Sequence, residues 1–503
     1  MSTGVQLEKV ERDSLHTVRT LAEQAFSRAA GAPLIEGNRV RLLKDARENY
    51  PAWLDAIRAA KHHIHFESYI IHEDDAGREF GEALIAKARQ GVRVRVLYDW
   101  MGGFRKTSRH FWNRLRAAGI EVRCYNPPRI DSPFGWMSRD HRKTLGVDGE
   151  IGFITGLCVG INWVGDPARK IDPWRDTGVE VRGKAVADIE RAFTQLWASI
   201  GEPIPEREAI DGDSGVRAGD TSVRVVATLP MTAGMSRLDE LVAAIARKRL
   251  WLTDAYYAGT TSYVQSLKAA AKDGVDVRLL VPNATDIPLL RFLSRAGYQP
   301  LMEAGVRIFE WNGTMLHAKT AVADGRWARV GSSNLNIASW FGNYEMDLVV
   351  EDEPFAREME EMYIQDLNNA TEIVLDIRNR VRALGEPLHS RPVLSSGGGS
   401  VGRAAAGALR ISNAVGAAIT NRRAFEPVEA RILVTVGALL FALAILFVFF
   451  PAVLVYPAIV LFLWMSVALF YKAYKLHRNR KYDAASSEKA SFGGPTAETP
   501  KNT

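Results

Sequence analysis

Apolar and polar positions change period at regular places along this chain. Ile64-His65-Phe66-Glu67-Ser68-Tyr69-Ile70 reads as a buried strand. Residues 77–90 carry apolar side chains near helical spacing, and Val92-Arg93-Val94-Arg95-Val96-Leu97 then alternates with a period of two. The succession returns later: Arg249-Leu250-Trp251-Leu252-Thr253-Asp254 as a strand, 261–273 as a helix, and Val275-Asp276-Val277-Arg278-Leu279-Leu280-Val281 as a second strand. The phrase Ala-Lys/Arg-x-Gly-Val-x-Val-Arg occurs at 88–95 and again at 271–278, which marks an internal duplication. Strand–helix–strand alternation predicts α/β layers, with helices covering a largely parallel sheet.

A different pattern closes the chain. From Ile432 to Tyr471 no residue is charged, and the apolar side chains show no polar stripe. At about 1.5 Å per residue one helix of that length would be roughly twice the hydrocarbon thickness, so two spans are expected, near 432–450 and 455–471, turning at Pro451 and Pro457. Arg422, Arg423 and Arg431 precede the pair, and Lys472, Lys475, Arg478, Arg480 and Lys481 follow it, which predicts both flanks in the cytoplasm. Met1–Asn38 carries Glu8, Glu11 and Asp13 where a secretion signal needs an apolar core.

Composition narrows the picture only a little. A chain of 503 residues, 47% hydrophobic and 24% charged, suits two or three globular domains. Cys124 and Cys158 are the only cysteines, too few for a disulfide framework or a zinc set. The net charge of +6 favours acidic partners, and both nucleic acid and anionic lipid qualify.

The candidate chemistry lies in a motif that each half carries once. His-x-Lys-x-x-x-x-Asp occurs as His141, Lys143, Asp148 and as His317, Lys319, Asp324. A neutral imidazole can attack phosphorus, an ammonium can hold phosphate oxygens, and a carboxylate can fix local geometry. Two copies offer a nucleophile and a separate general acid. The second copy continues to Gly331, Ser332 and Asn334; at the corresponding place the first has Thr155-Gly156-Leu157-Cys158. His62, His63 and His65 open a predicted strand, where alternation is expected to send neighbours to opposite faces and leave them structural roles. No cofactor and no metal are expected.

On the doubled motif and the extended pattern H-x-K-x4-D-x6-G-S-x-N, the chain resembles the phospholipase D superfamily, and within it the bacterial cardiolipin synthase-like branch. The wording Ser68-Tyr69, Asp140-His141-Arg142-Lys143 and Trp174-Arg175-Asp176 is similar to that branch. The resemblance implies an α/β fold: two phospholipase D-like α-β-α halves in a pseudo-twofold pair with one active site at their interface, and no oligomer needed to complete it. The expected organisation is an N-terminal helical extension over 1–38, halves over 39–210 and 211–385, and a linker over 386–430 that holds either an amphipathic or a small packed helix. A transmembrane hairpin over 431–472 and a cytoplasmic tail over 473–503 follow.

The same resemblance implies roles. His141, His317, Lys143, Lys319, Asp148 and Asp324 form the catalytic set, with the two aspartates holding the motif loops. Asn334 and Ser332 bind substrate, and Asp176 and Glu345 orient the histidines. His141 is expected as nucleophile and His317 as acid and base; the reverse assignment stays open. Glu67 and Tyr256 either line the cleft or pack behind it. The leading expectation is a membrane-bound phosphatidyltransferase that makes cardiolipin from phosphatidylglycerol through a phosphohistidine, on the cytoplasmic face of the cell membrane. A phospholipase D that releases phosphatidate is the alternative. A membrane-tethered nuclease ranks lower, since Arg105-Lys106 and Arg114–Arg116 read better as solvated surface, and no nucleic-acid partner is expected.

Overall fold

Both strand–helix–strand passages are present in the computed structural model. It describes residues 20–128, 138–208, 216–286, 294–295, 297–375 and 381–383, with 438, 441–450, 452, 455–471 and 474 near the end of the chain. The first half holds β1 (Ile35–Lys44), β2 (His63–Ser68), β3 (Arg93–Asp99), β4 (Glu121–Tyr125), β5 (Lys143–Val147), β6 (Ile151–Thr155) and β7 (Thr177–Arg182). The second holds β8 (Thr221–Thr228), β9 (Arg249–Thr253), β10 (Asp276–Ala284), β11 (Arg307–Met315), β12 (Thr320–Ala323), β13 (Trp327–Gly331), β14 (Glu345–Glu351), β15 (Ala370–Leu375) and β16 (Val381–Ala383).

Strand order shows the duplication directly. Outward from the central β8–β1 pair, one side runs β1-β7-β6-β5-β2-β3-β4 and the other β8-β14-β13-β12-β9-β10-β11, with β15 and β16 added at the far edge. The expectation of a largely parallel sheet is corrected. Among the described strands only β2–β3–β4 and β9–β10–β11 pair in parallel, and periodicity predicted the helices of the β2–β3 and β9–β10 crossovers. The other pairings are antiparallel, because the residues after each motif turn back at once. Val147-Asp148-Gly149-Glu150 is a tight turn closed by Glu150 N–H to Val147 O at 3.0 Å, with φ of 55° at Asp148 and 68° at Gly149. Asp324 and Gly325 repeat it at 52° and 66°. Positive φ at both central residues is what an Asp-Gly pair tolerates in a type I′ hairpin turn, and β5–β6 and β12–β13 are the hairpins that result.

Each half has its own core beneath its parallel strands, around Trp53, Phe66 and Phe80 in one and Leu238, Tyr263 and Leu279 in the other. A third core joins them. Leu42, Val179 and Ile189 from the first half pack with Val225, Leu348 and Met359 from the second, under helices Ala185–Ser199 and Glu353–Leu367. Each fully buried side chain of this kind contributes about 1.5–3 kcal/mol, so the halves are held as firmly as a domain interior. Residues 20–30 form a helix whose end packs on the second half, with Arg224 donating to Ser27 Oγ at 2.6 Å.

The chain divides into two compact units, Met1–Asn126 with Ser138–Glu429, and Pro127–Met137 with Ala430–Thr503. In the second unit 441–449 and 455–471 are helical. Among the described residues no helix is long and apolar enough to cross a membrane. The linker expected over 386–430 and the tail beyond 474 lie outside the described residues.

Candidate active site

Each motif docks on the opposite half. The backbone N–H of His141 donates to Tyr344 O at 2.9 Å, and that of His317 to Arg175 O at 2.7 Å. Short parallel bridges, Asp140 with Tyr344 and Arg175 with Leu316, fix the two junctions. Glu345 follows Tyr344 and Asp176 follows Arg175, so the segment that docks a motif also delivers its carboxylate. His141 Nδ1 lies 2.8 Å from Glu345 Oε2, and His317 Nδ1 lies 2.7 Å from Asp176 Oδ2. The orienting acids therefore cross over, each half serving the other's histidine.

An ionised carboxylate only accepts, so each Nδ1 carries the proton and each Nε2 is left with its lone pair. Burial pushes His141 down to about 4. Lys143 and Lys319 add to that push and Glu345 opposes it. Burial and Lys319 bring His317 to about 3 against the pull of Asp176. Burial tends to raise Asp176 and Glu345, but the partner histidine and the nearby lysine outweigh it and hold both carboxyls below their usual range. Lys143 and Lys319 are buried, and each donates through Nζ to the backbone oxygen of the histidine two residues earlier. Burial lowers both ammonium groups, Lys319 to about 8. The charge of Lys319 acts on His141 and that of Lys143 on His317, so both motifs share one electrostatic site.

The two halves that carry this arrangement match a known family. The description "Cardiolipin synthase, PLD-like domain" matches residues 53–197 and 241–367. The chain belongs to that family. It is 33% identical over 347 residues to the cardiolipin synthase of Alkalihalophilus pseudofirmus, 68% of each chain, and 32% identical over 383 residues to that of Halalkalibacterium halodurans, 75% of each chain. Among solved structures, the phosphatidylserine synthase of Haemophilus influenzae Rd KW20 shares the fold with a TM-score of 0.57 at 15% identity, covering 69% of this chain and 91% of that one.

Against the family pattern, the structure places the remaining residues as follows. Asp148 accepts from the backbone N–H of Lys61, His62 and His63 at 2.7–2.8 Å, and Asp324 from Arg247, Lys248 and Arg249 at 2.8–2.9 Å. Both carboxylates are committed to backbone, pinning the hairpin to the start of β2 or β9. Ser332, expected among the substrate-binding residues, lies against Glu345. Its hydroxyl donates to Glu345 Oε2 at 2.6 Å and accepts from Met346 N–H at 2.9 Å, so it holds the acid that holds His141. Asn334 is fixed by its backbone, donating to Ser339 Oγ at 3.1 Å, and its side-chain oxygen is buried without a protein partner.

In the first half Gly156 stands where Ser332 stands in the second. A Cβ there would lie 2.1 Å from Asp176 Oδ1. Cys158 takes the place of Asn334 and is buried, with its thiol pushed up by burial despite the nearby charge of Lys143. Glu67 accepts from Thr144 Oγ1 at 3.0 Å behind β5, which places it behind the cleft. The ring of Tyr256 lies 5.8 Å from that of His317.

Sequence reasoning missed the aromatic walls. Trp163 and Trp174 lie 5.6 Å from the His317 ring, and Trp163 Nε1 donates to Asp176 Oδ2 at 3.0 Å. Tyr69 lies 5.1 Å from the His141 ring. Trp163 sits on no periodic face that would have marked it, and Tyr69 and Trp174 stood only in the strand reading and the family wording, with no role at the site. It also missed Arg142, buried beside the motif, which donates to Ala192 O at 3.0 Å and Glu345 O at 3.3 Å. The histidine cluster needs a correction as well. His63 and His65 are two residues apart on β2 and share a face, whereas His62 precedes the strand and is exposed.

Proposed function

We propose that this chain is a phosphatidyltransferase that transfers the phosphatidyl group of one phosphatidylglycerol to a second, forming cardiolipin and glycerol. The observation that carries the reading is the crossed pair His141–Glu345 and His317–Asp176, which supplies two Nε2 lone pairs to one lysine-flanked cleft. Relatives covering two thirds or more of the chain bear the name cardiolipin synthase.

His141 Nε2 attacks phosphorus, the bond to the departing glycerol oxygen breaks, and His317 gives that oxygen its proton. The phosphodiester anion, on entering, offsets the push of the two ammonium groups and so lets His317 hold that proton. His317 then takes the proton from a hydroxyl of the second phosphatidylglycerol. That oxygen attacks the phosphohistidine and frees His141. Lys143, Lys319 and Asn334 hold the non-bridging oxygens. The greater exposure of the His141 side chain, 12% against 7% for His317, supports His141 as the nucleophile.

The uncharged run from Ile432 to Tyr471 supports a hairpin anchor, with Val448, Phe449, Phe462 and Phe470 exposed on its helical stretches. Its basic flanks support a cytoplasmic catalytic unit.

The test is a product assay on the purified full chain in vesicles of phosphatidylglycerol, with lipids resolved by mass spectrometry. Cardiolipin with free glycerol is expected. Phosphatidate without cardiolipin would make the chain a hydrolase, and no turnover would require another donor. His317→Ala is expected to leave a phosphatidyl adduct on His141; an adduct trapped on His317 in His141→Ala would reverse the assignment.

A further inference from the structure

Strand β2 carries His63 and His65 on one face, and helix Ala185–Ser199 brings Glu190 against them. His63 Nε2 lies 3.0 and 3.1 Å from the two Glu190 oxygens, and the two imidazole rings are 4.7 Å apart. One ligand atom from each of the three residues falls within 4.8 Å of the others, and all three side chains are buried. We propose that His63, His65 and Glu190 hold a divalent transition-metal ion of the zinc class.

Two independent observations point to an ion beyond a simple histidine–glutamate hydrogen bond. The first is His65. It is 2% exposed, stacks on Phe193 at 4.6 Å, and has no hydrogen-bond partner at either ring nitrogen. Leaving a buried donor and acceptor unmet costs about 1–3 kcal/mol for each group. A metal bond to one nitrogen relieves part of that cost, and nothing in the His63–Glu190 contact does.

The second is the other half of the molecule. Asp148 ties the N–H of residue 63 and Asp324 that of residue 249, so Arg249 stands where His63 stands. Arg249 Nη1 pairs at 3.0 Å with Glu360, on the helix that follows β14 as the Glu190 helix follows β7. There a guanidinium answers the helix glutamate. In the first half two imidazoles face it, and the positive charge is left for an ion to supply.

The donor set suits zinc. Two neutral imidazoles and one carboxylate are borderline ligands, whereas magnesium and calcium demand oxygen. Tetrahedral ligands sit roughly 3.3 Å from one another at zinc bond lengths, so modest side-chain rotation closes the site and leaves one position for water. The nearby charge of Arg95 is met by Glu121 at 2.9 Å and Glu208 at 2.6 Å. The ion would tie β2 to the helix. Ser68, at the end of β2, pairs with Lys143, so the tie stiffens the strand beside the first motif. None of the three ligands belongs to the reacting set.

The experiment is elemental analysis and calorimetry on the tag-free full chain, followed by cobalt(II) and zinc titration of chelator-treated protein. The expectation is about one ion per chain, a d–d absorption band with cobalt, and a Tm several degrees higher with zinc than without. His65→Phe keeps the stack on Phe193 and removes the ligand, and Glu190→Gln keeps the volume and removes the charge. Both are expected to fold and to lose the cobalt band. A wild-type chain with no bound ion, no band and no Tm shift would overturn the proposal. So would a band retained in both variants. These readouts do not involve turnover, so the site and the transferase reading fail separately.

Discussion

Glu345 reaches His141 across a serine, whereas Asp176 reaches His317 over a glycine. In the second half the longer acid leaves room for Ser332, whose hydroxyl then clamps it. In the first half the shorter acid keeps its carboxylate against the backbone, where a Cβ on Gly156 would meet Asp176 Oδ1. The acid and the residue beside it vary as a pair: a methylene gained in one is space required of the other. What looks in the first motif like erosion of a phosphate-binding pattern is therefore a matched alternative. The comparison also separates what duplication preserved from what it released. Both halves keep the aspartate turn and the cross-half docking bonds; the acid length, the cysteine at 158 and the His63–His65 face belong to one half alone.

The largest effect would come from breaking both sides of the comparison. His141→Ala and His317→Ala are each expected to cut kcat by at least about 10³-fold, the scale of lost nucleophilic and acid–base catalysis. Steady-state assays on phosphatidylglycerol check this. If either variant keeps more than about a tenth of the activity, the crossed two-histidine scheme is wrong.

Acid stability comes next. Below the ordinary histidine range the unfolded chain protonates both imidazoles, while the folded chain keeps His141 neutral to about 4 and His317 to about 3. The unfolded state then binds more protons, so stability is intact above pH 6.5 and falls as pH drops through that window. The expected loss between pH 7 and pH 5 is about 2 kcal/mol per histidine. Urea midpoints at the two pH values measure it, and His141→Gln or His317→Gln should each remove roughly a quarter of the histidine-derived slope, because burial also holds His65 and His72 below the usual imidazole range. An unchanged slope in both variants would mean that the imidazoles are solvated in the native state.

The smallest effect sharpens the comparison most. Gly156→Ser forces a side chain against Asp176 and is expected to cost about 1–3 kcal/mol of stability. Ser332→Gly removes the clamp on Glu345 and the acceptor of Met346 N–H, with roughly a tenfold fall in kcat for the lost hydrogen bond to a charged group. Thermal melts and kcat on the two variants distinguish these outcomes. Equal effects in both halves would show that acid length and neighbour size are not coupled.

Much of this was legible before any coordinates. The strand–helix–strand passages appear where the period changes from two to near helical, because side-chain direction is set within a few residues. The motif residues were legible as residue types suited to phosphoryl transfer, and the resemblance to the phospholipase D superfamily pointed to Asp176 and Glu345. The antiparallel hairpins were less so, although Asp148-Gly149 and Asp324-Gly325 announce them through turn chemistry. Trp163 and Trp174 show no periodic signal, since one lies in the four-residue helix Ile161–Val164 and the other in the loop before β7.

The amino-acid sequence by itself determined the duplication, the local elements and the chemical types at the site, all written in short spans where backbone and side-chain geometry are local. Only the tertiary structure decided partners. That Glu345 serves His141, 204 positions away, and Asp176 serves His317, 141 positions away, follows from docking each motif on the opposite half. The third core holds that docking in place, and no local pattern encodes it. The meeting of His63 with Glu190 is of the same kind: strand alternation put two imidazoles on one face, and the packing of a distant helix chose what faces them.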